Sequence, residues 1–222
     1  MLTTLIRRSV LRIRDDLAIE FANTAHNPSD PAGSLAGWRD LVDFLELRGA
    51  LGRPELETLR AMGETDARRG ADAFEQSLKL RETIRSVLGA MAAGKPLRAS
   101  WIADVNEVLA HGMGSERLVR HDATWRLGFV PLRPEPLRAL APIARSIGDL
   151  ISAGPVGEVR RCANPRCVLF FRDRSRTRRR RWCSMARCGN RQKVAAYRRR
   201  GSGAAHPSPE RTAHVRAPAR RG

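Results

Sequence analysis

The four cysteines of this 222-residue chain are Cys162, Cys167, Cys183 and Cys188, and they are its most chemically loaded residues. They form two Cys-x4-Cys pairs with fifteen residues between them. Each pair can offer two thiolates from one chain reversal, and a short loop can fold one pair onto the other, as a tetrahedral four-thiolate site requires. Ala163-Asn164-Pro165-Arg166, between the first pair, is turn-prone as a knuckle must be. Four thiolates leave no open coordination position, so the expected ion is one structural Zn²⁺ and no catalytic metal. Two disulfides, or another metal such as an iron–sulfur cluster, would use the same sulfurs. Free thiols fit less well, because a segment of roughly 40 residues has too small a core to stand without a staple.

The thiols sit in a field of positive charge. The chain carries +18 overall. Residues 158–200 hold fifteen arginines and Lys193 against Glu158 and Asp173, a net +14. Residues 201–222 add +3, which leaves residues 1–157 at +1. Such asymmetry points to a polyanion as partner of the C-terminal third, nucleic acid first and an anionic membrane second. Phosphate contacts would fall to Arg174, Arg176, Arg178–Arg181 (Arg178, Arg179, Arg180, Arg181) and Arg198, Arg199 and Arg200. Arg187, Asn190, Arg191 and Lys193 are the candidates for reaching base edges, since Arg suits guanine and Asn suits adenine. Asn190 and Arg191 have a second reading, as hydrogen-bond donors to the cysteine knuckle. Trp182 and Tyr197 could stack on unpaired bases or cap a small metal core.

The elements that must position these residues follow from apolar spacing and breakers. Residues 16–24 read as a short apolar-rich element, helical or with a strand at its start. Trp38, Leu41, Val42 and Leu45 mark a helix that Gly49 or Gly52 stops, and Pro54 starts another through Met62. A long helix containing Phe74, Leu78, Ile84, Val87, Leu88 and Met91 ends near Gly94, and one from Leu97 to Leu109 follows. Leu118–Val119 and Trp125–Val130 suggest a hairpin around Asp122–Ala123. Leu137 to Ile151 keeps a 3.6-residue period over four turns. The expected architecture is therefore a mainly α domain over residues 1–154 with a small β-hairpin, a linker at 154–157, a treble-clef-like four-cysteine finger over 158–200, and a disordered basic tail over 201–222. In the finger, Val168–Phe171 reads as a strand. Ser184 is a good N-cap for a helix that continues to Arg200, which puts Cys183 and Cys188 at that helix's positive end. Without an apolar signal-peptide core or an 18-residue apolar run, a cytoplasmic protein is expected.

The run from Trp182 to Lys193, WCSMARCGNRQK, resembles the signature of the CGNR zinc-finger family. Arg161–Cys167 followed by Leu169-Phe170-Phe171 is similar to that family's first knuckle and strand. Upstream, Leu17–Thr24 (LAIEFANT) resembles the opening motif of the ABATE-type domain, which often precedes this finger; members more usually read Leu-Asp where this chain has Ile19-Glu20. The resemblance implies a stress-induced transcription regulator with a nucleic-acid-binding finger. It supplies neither a target sequence nor an inducer.

Glu20, Asn23, Thr24 and His26 form a polar group beside an apolar stretch and could line a pocket for a small-molecule effector, or simply be a helix cap and loop. No phosphate-cradling glycine loop, nucleophile elbow or His-Glu-x-x-His pattern is found, so no enzyme activity is expected. The reading that follows is a zinc-containing DNA-binding transcription regulator. An RNA-binding or ribosome-associated zinc protein is the alternative, since the same charge and aromatics would serve unpaired bases.

Overall fold

The protein is described by a computed structural model covering residues 17–25, 35–121, 124–131, 136–153 and 158–202. His26, the 154–157 linker and residues 203–222 of the basic tail lie outside the described residues.

The N-terminal region is built around one long helix. Helix α1 (residues 17–22) is followed by α2 (Trp38–Leu47), α3 (Arg53–Thr65), α4 (Ala67–Ala92) and α5 (Ala99–His111). The caps follow the sequence. Pro54 lies in the first turn of α3, and the Asp66 carboxylate caps α4 by accepting the Arg69 N–H at 3.0 Å. The inward face of α4 carries Ala73, Leu80, Ile84, Val87 and Leu88, all buried. Trp38 fixes the packing of α2 against α3. Its indole N–H donates to the Leu59 carbonyl at 3.0 Å, and a Cβ on Gly63 would come within 2.5 Å of its ring, so the helices approach only through that notch.

Strands β1 (Gly114–His121) and β2 (Thr124–Pro131) form an antiparallel hairpin with Gly114 opposite Pro131. It is several residues longer than the apolar pattern suggested. Its Leu118 and Trp125 side chains are exposed. The periodic stretch that read as one helix over 137–151 is two elements, a 3₁₀ turn at Pro136–Leu140 and α6 at Ala141–Ser152. Pro142 is the reason: it has no N–H to continue an α-helical ladder through the junction.

Helix α1 is sealed at both ends by other helices. The Ser146 hydroxyl of α6 accepts the Ala18 N–H at 3.1 Å, one of the donors a helix start leaves unpaired. Arg85 of α4 donates to the Ala22 carbonyl at 2.9 Å, and Arg81 to the Thr24 carbonyl at 3.2 Å. Two cations thus meet the negative end of the short helix.

The C-terminal region begins with β3 (Val159–Arg161) and β4 (Phe170–Arg172), antiparallel, with the Cys162–Cys167 knuckle at their tip. A single π turn at Met185–Gly189 leads into α7 (Asn190–Ser202). This is the expected treble-clef-like order, with α7 running two residues past Arg200. Val159 and Phe170 are buried in the same apolar core as α1, α2, α4 and α6. The hairpin of the finger is therefore packed into the helical body.

Candidate metal centre and nucleic-acid interface

The knuckle begins with Asn164. Its side-chain oxygen accepts the Arg166 N–H at 3.1 Å, and its carbonyl accepts the Cys167 N–H at 2.9 Å. That pair of bonds turns the chain so that Cys162 and Cys167 face the same point. The second pair is set by Ser184, whose hydroxyl accepts the Arg187 N–H at 3.3 Å and caps the π turn, leaving Cys183 before the turn and Cys188 within it.

The four Sγ atoms lie within 4.8 Å of one another. Cys167 and Cys183 are 3.8 Å apart, and Cys183 and Cys188 are 3.6 Å apart. Four sulfurs at a Zn–S distance of about 2.3 Å define a tetrahedron with an edge of about 3.8 Å. The separations match that edge and are far from the roughly 2.05 Å of a disulfide; all four cysteines are free. The Cys183 N–H also points to the Cys162 sulfur at 3.5 Å, a donor suited to a thiolate. Burial pushes the Cys167 thiol up to about 11, and burial with the neighbouring sulfurs raises Cys183 as well. Burial works against ionisation at Cys188 too, yet hydrogen bonds from Asn164 and the other sulfurs hold it below the usual thiol value. A cation at the centre of the four is what makes a full set of thiolates stable. The donors, spacing and burial fit one structural Zn²⁺.

The CGNR zinc-finger family matches residues 158–201, and the ABATE family, described as "Putative stress-induced transcription regulator", matches residues 15–154. The chain belongs to the ABATE family and carries a CGNR zinc finger after that domain. No curated protein sequence matches it. Among the described residues, no helix is long and apolar enough to cross a membrane.

The arginines of the CGNR finger divide into two groups. Arg178 and Arg180 are engaged inside the finger. Arg178 sits in the left-handed region at φ 48° and pairs with Glu158 at 2.8 Å. A non-glycine residue pays about 1–2 kcal/mol for that conformation, so the loop is held in place by its ion pairs. Arg180 donates to the Trp182 carbonyl at 2.9 Å and to the Cys183 carbonyl, and its guanidinium lies 4.6 Å from the centre of the Phe171 ring. Asp173, fully buried, organises the same loop. It accepts the Ser175 hydroxyl at 2.6 Å and the Arg180 N–H at 2.9 Å, and pairs with Arg160 at 3.2 Å. Burial alone would raise its pKa, but those donors and Arg160 outweigh it and hold the carboxyl below its usual range.

Arg178 and Arg180 remain exposed despite these contacts, and the arginines of the second group are exposed as well. Arg174, Arg176, Arg179 and Arg181 are exposed along the loop, Arg181 stacking over Trp182 at 5.1 Å. Arg187 of the π turn and Asn190, Arg191, Val194 and Arg198 of α7 line one shallow groove. Lys193 is exposed on a neighbouring flank with Tyr197. Arg199 and Arg200 continue the backbone of α7.

Of the polar residues in the ABATE opening motif, three have structural partners. Asn23 donates through Nδ2 to the Phe170 carbonyl at 2.9 Å and accepts the Phe170 N–H through Oδ1 at 2.9 Å. The Thr24 hydroxyl donates to the Phe21 carbonyl at 2.7 Å. Glu20 pairs with Arg48 at 2.7 Å. Glu20 and Asn23 do border a cavity of about 320 Å³, between α1 and the cysteine cluster, whereas Thr24 does not. The residue that ties α7 to the knuckle is Gln192, whose Nε2 donates to the Asn164 side-chain oxygen at 3.0 Å. Asn190 and Arg191, the candidates from the sequence for that role, line the outer groove. Gln192 lies two residues beyond Asn190, on the opposite side of α7, and helical spacing from Cys188 was the available signal. Trp182 is half-buried against the cysteines, as a cap on the metal core would be. Gly189 leaves room for its neighbours there: a Cβ would displace the flexible Met185 side chain and stand 3.1 Å from the Trp182 ring.

Proposed function

We propose that this protein is a DNA-binding transcription regulator, working in the cytoplasm without an enzymatic activity of its own, whose CGNR finger presents α7 to the duplex. The observation that carries the reading is the face of α7. Arg187 of the π turn and Asn190, Arg191 and Arg198 of α7 share one exposed groove, and the helix is fixed by the cysteine cluster at one end and by Gln192 on its inner side. A rigid helix with Arg and Asn along one face is suited to the major groove, where those side chains pair with guanine and adenine edges. Arg174, Arg176, Arg179 and Arg181, on the loop beside it, would supply sequence-independent phosphate contacts.

A second reading rests on Tyr197, which is 73% exposed on the flank of that face and could stack on an unpaired base. The two readings separate in a competition experiment with the zinc-loaded full chain at fixed salt. Duplex DNA should displace a labelled duplex at lower concentration than single-stranded DNA or structured RNA of the same length. Preference for RNA would establish the alternative.

A further inference from the structure

The outer face of α7 is polar and basic except near its middle. Asn190, Val194 and Arg198 follow one another at four-residue steps, so they form one row along the helix. Arg191 and Tyr197 stand three positions from Val194 on either side and are its flanking neighbours. Val194 is 49% exposed. It lines the same shallow groove as Asn190, Arg191 and Arg198. An apolar side chain thus holds the centre of the face that carries the guanidinium and amide groups.

The fold does not account for a valine at this place. Val194 packs in neither the apolar core of the helical body nor the cluster around the cysteines. The inner side of α7 is held instead through Gln192, with Ala195 and Ala196 half-buried beside it. Valine is also a poorer helix former than the arginines around it, because its branched side chain loses rotamer freedom against the preceding turn.

The chemistry of a duplex narrows what such a residue can meet. Phosphate oxygens offer nothing to an isopropyl group. Among the base edges exposed in the major groove, only thymine presents an apolar group, its C5-methyl. We propose that Val194 is a specificity-determining residue of the finger, packing on the C5-methyl of a thymine, so that the preferred target holds an A·T pair within reach of the bases read by Asn190 and Arg191. This inference rests on the duplex-binding function proposed above and adds to it a base that no hydrogen bond would select.

The test uses the zinc-loaded full chain and duplex DNA. Duplexes enriched by the chain from a randomised pool are resynthesised with each thymine in turn replaced by uracil, which removes only the C5-methyl. At one position or more, the wild type should lose affinity by about fourfold, the value of burying one methyl group. Val194→Ala should bind the thymine and uracil forms of that position about equally, and Val194→Ile should keep the difference. Both variants should retain one zinc ion per chain and the salt dependence of the wild type, because neither substitution removes a phosphate contact. Uracil binding as well as thymine at every position, or Val194→Ala discriminating as the wild type does, overturns the proposal and leaves the duplex-binding function standing. Duplex binding without any preferred sequence, or preferred sequences that share no A·T pair, overturns it in the same way. If the chain binds no duplex at all, the function proposed above fails and takes this inference with it.

Discussion

Asn23 and Phe170, 147 positions apart in the sequence, hold one another by two hydrogen bonds of 2.9 Å, in the pattern by which neighbouring strands pair. The amide of Asn23 acts as one more residue on the edge of β4. Arg85 reinforces the contact from α4, its guanidinium 5.5 Å from the centre of the Phe170 ring while it donates to the Ala22 carbonyl. Asn23 of the ABATE opening motif thus serves as the clasp that sets the finger against the helical body.

Asn23→Ala tests the clasp. It leaves the Phe170 N–H and carbonyl without partners in a half-buried place, at a cost of about 1–3 kcal/mol. Amide hydrogen exchange should speed up in β4 and α1 while zinc stoichiometry stays at one. Unaltered exchange in both would show that the finger is held by other contacts.

Cys183→Ser should abolish stoichiometric zinc binding and melt the knuckle and α7. Because Val159 and Phe170 belong to the common core, the helical body should remain folded but lose about 2–4 kcal/mol, the usual effect of removing large buried side chains. Denaturant titration followed at Trp38 and Trp101 measures this. An unchanged midpoint would mean the two regions are energetically independent.

The arginines of the 178–181 run should fall into two classes. Arg179→Gln and Arg181→Gln should each flatten the plot of log binding constant against log salt by about 0.9, the value of one duplex phosphate contact. Arg180→Gln should instead loosen zinc, since it unties the carbonyls of Trp182 and Cys183. If all three change the salt slope alike and leave zinc affinity alone, the division is wrong.

Acid should release the metal. Burial keeps Cys167 and Cys183 protonated at neutral pH when no cation is present, so loading zinc expels protons and binding weakens as pH falls. Titrating zinc into the metal-free chain at pH 7.5 should release at least two protons per ion. At still lower pH, Asp173 and Glu158 add to the loss. Their carboxyls are held below the usual range in the folded loop, so the stability they give is present above about pH 4 and disappears as pH falls through their folded values. Zinc uptake without proton release would contradict ligation by thiols that are protonated in the metal-free chain.

Much of the fold is legible in the chain. Strong apolar periodicity between Phe74 and Met91 gives α4, and Ser184 announces the cap before Cys188, because both signals are local. The break at Pro142 was also written in the sequence, but the apolar spacing runs across it and masks the change from 3₁₀ to α. Nothing local foretold the junction. Phe170 reads as a finger-strand residue and Asn23 as a loop or pocket residue, and only the tertiary fold brings them together. The arginine runs likewise look uniform in sequence; Glu158 and Asp173 select Arg172, Arg178 and Arg160 by position in space.

Duplex binding by the full chain before and after removal of zinc is the most direct measurement of the central claim, that a metal-fixed finger presents α7 to nucleic acid. One zinc ion per chain is predicted, with binding lost on chelation and regained when one equivalent of Zn²⁺ is returned. Equal affinity in the metal-free protein would contradict it.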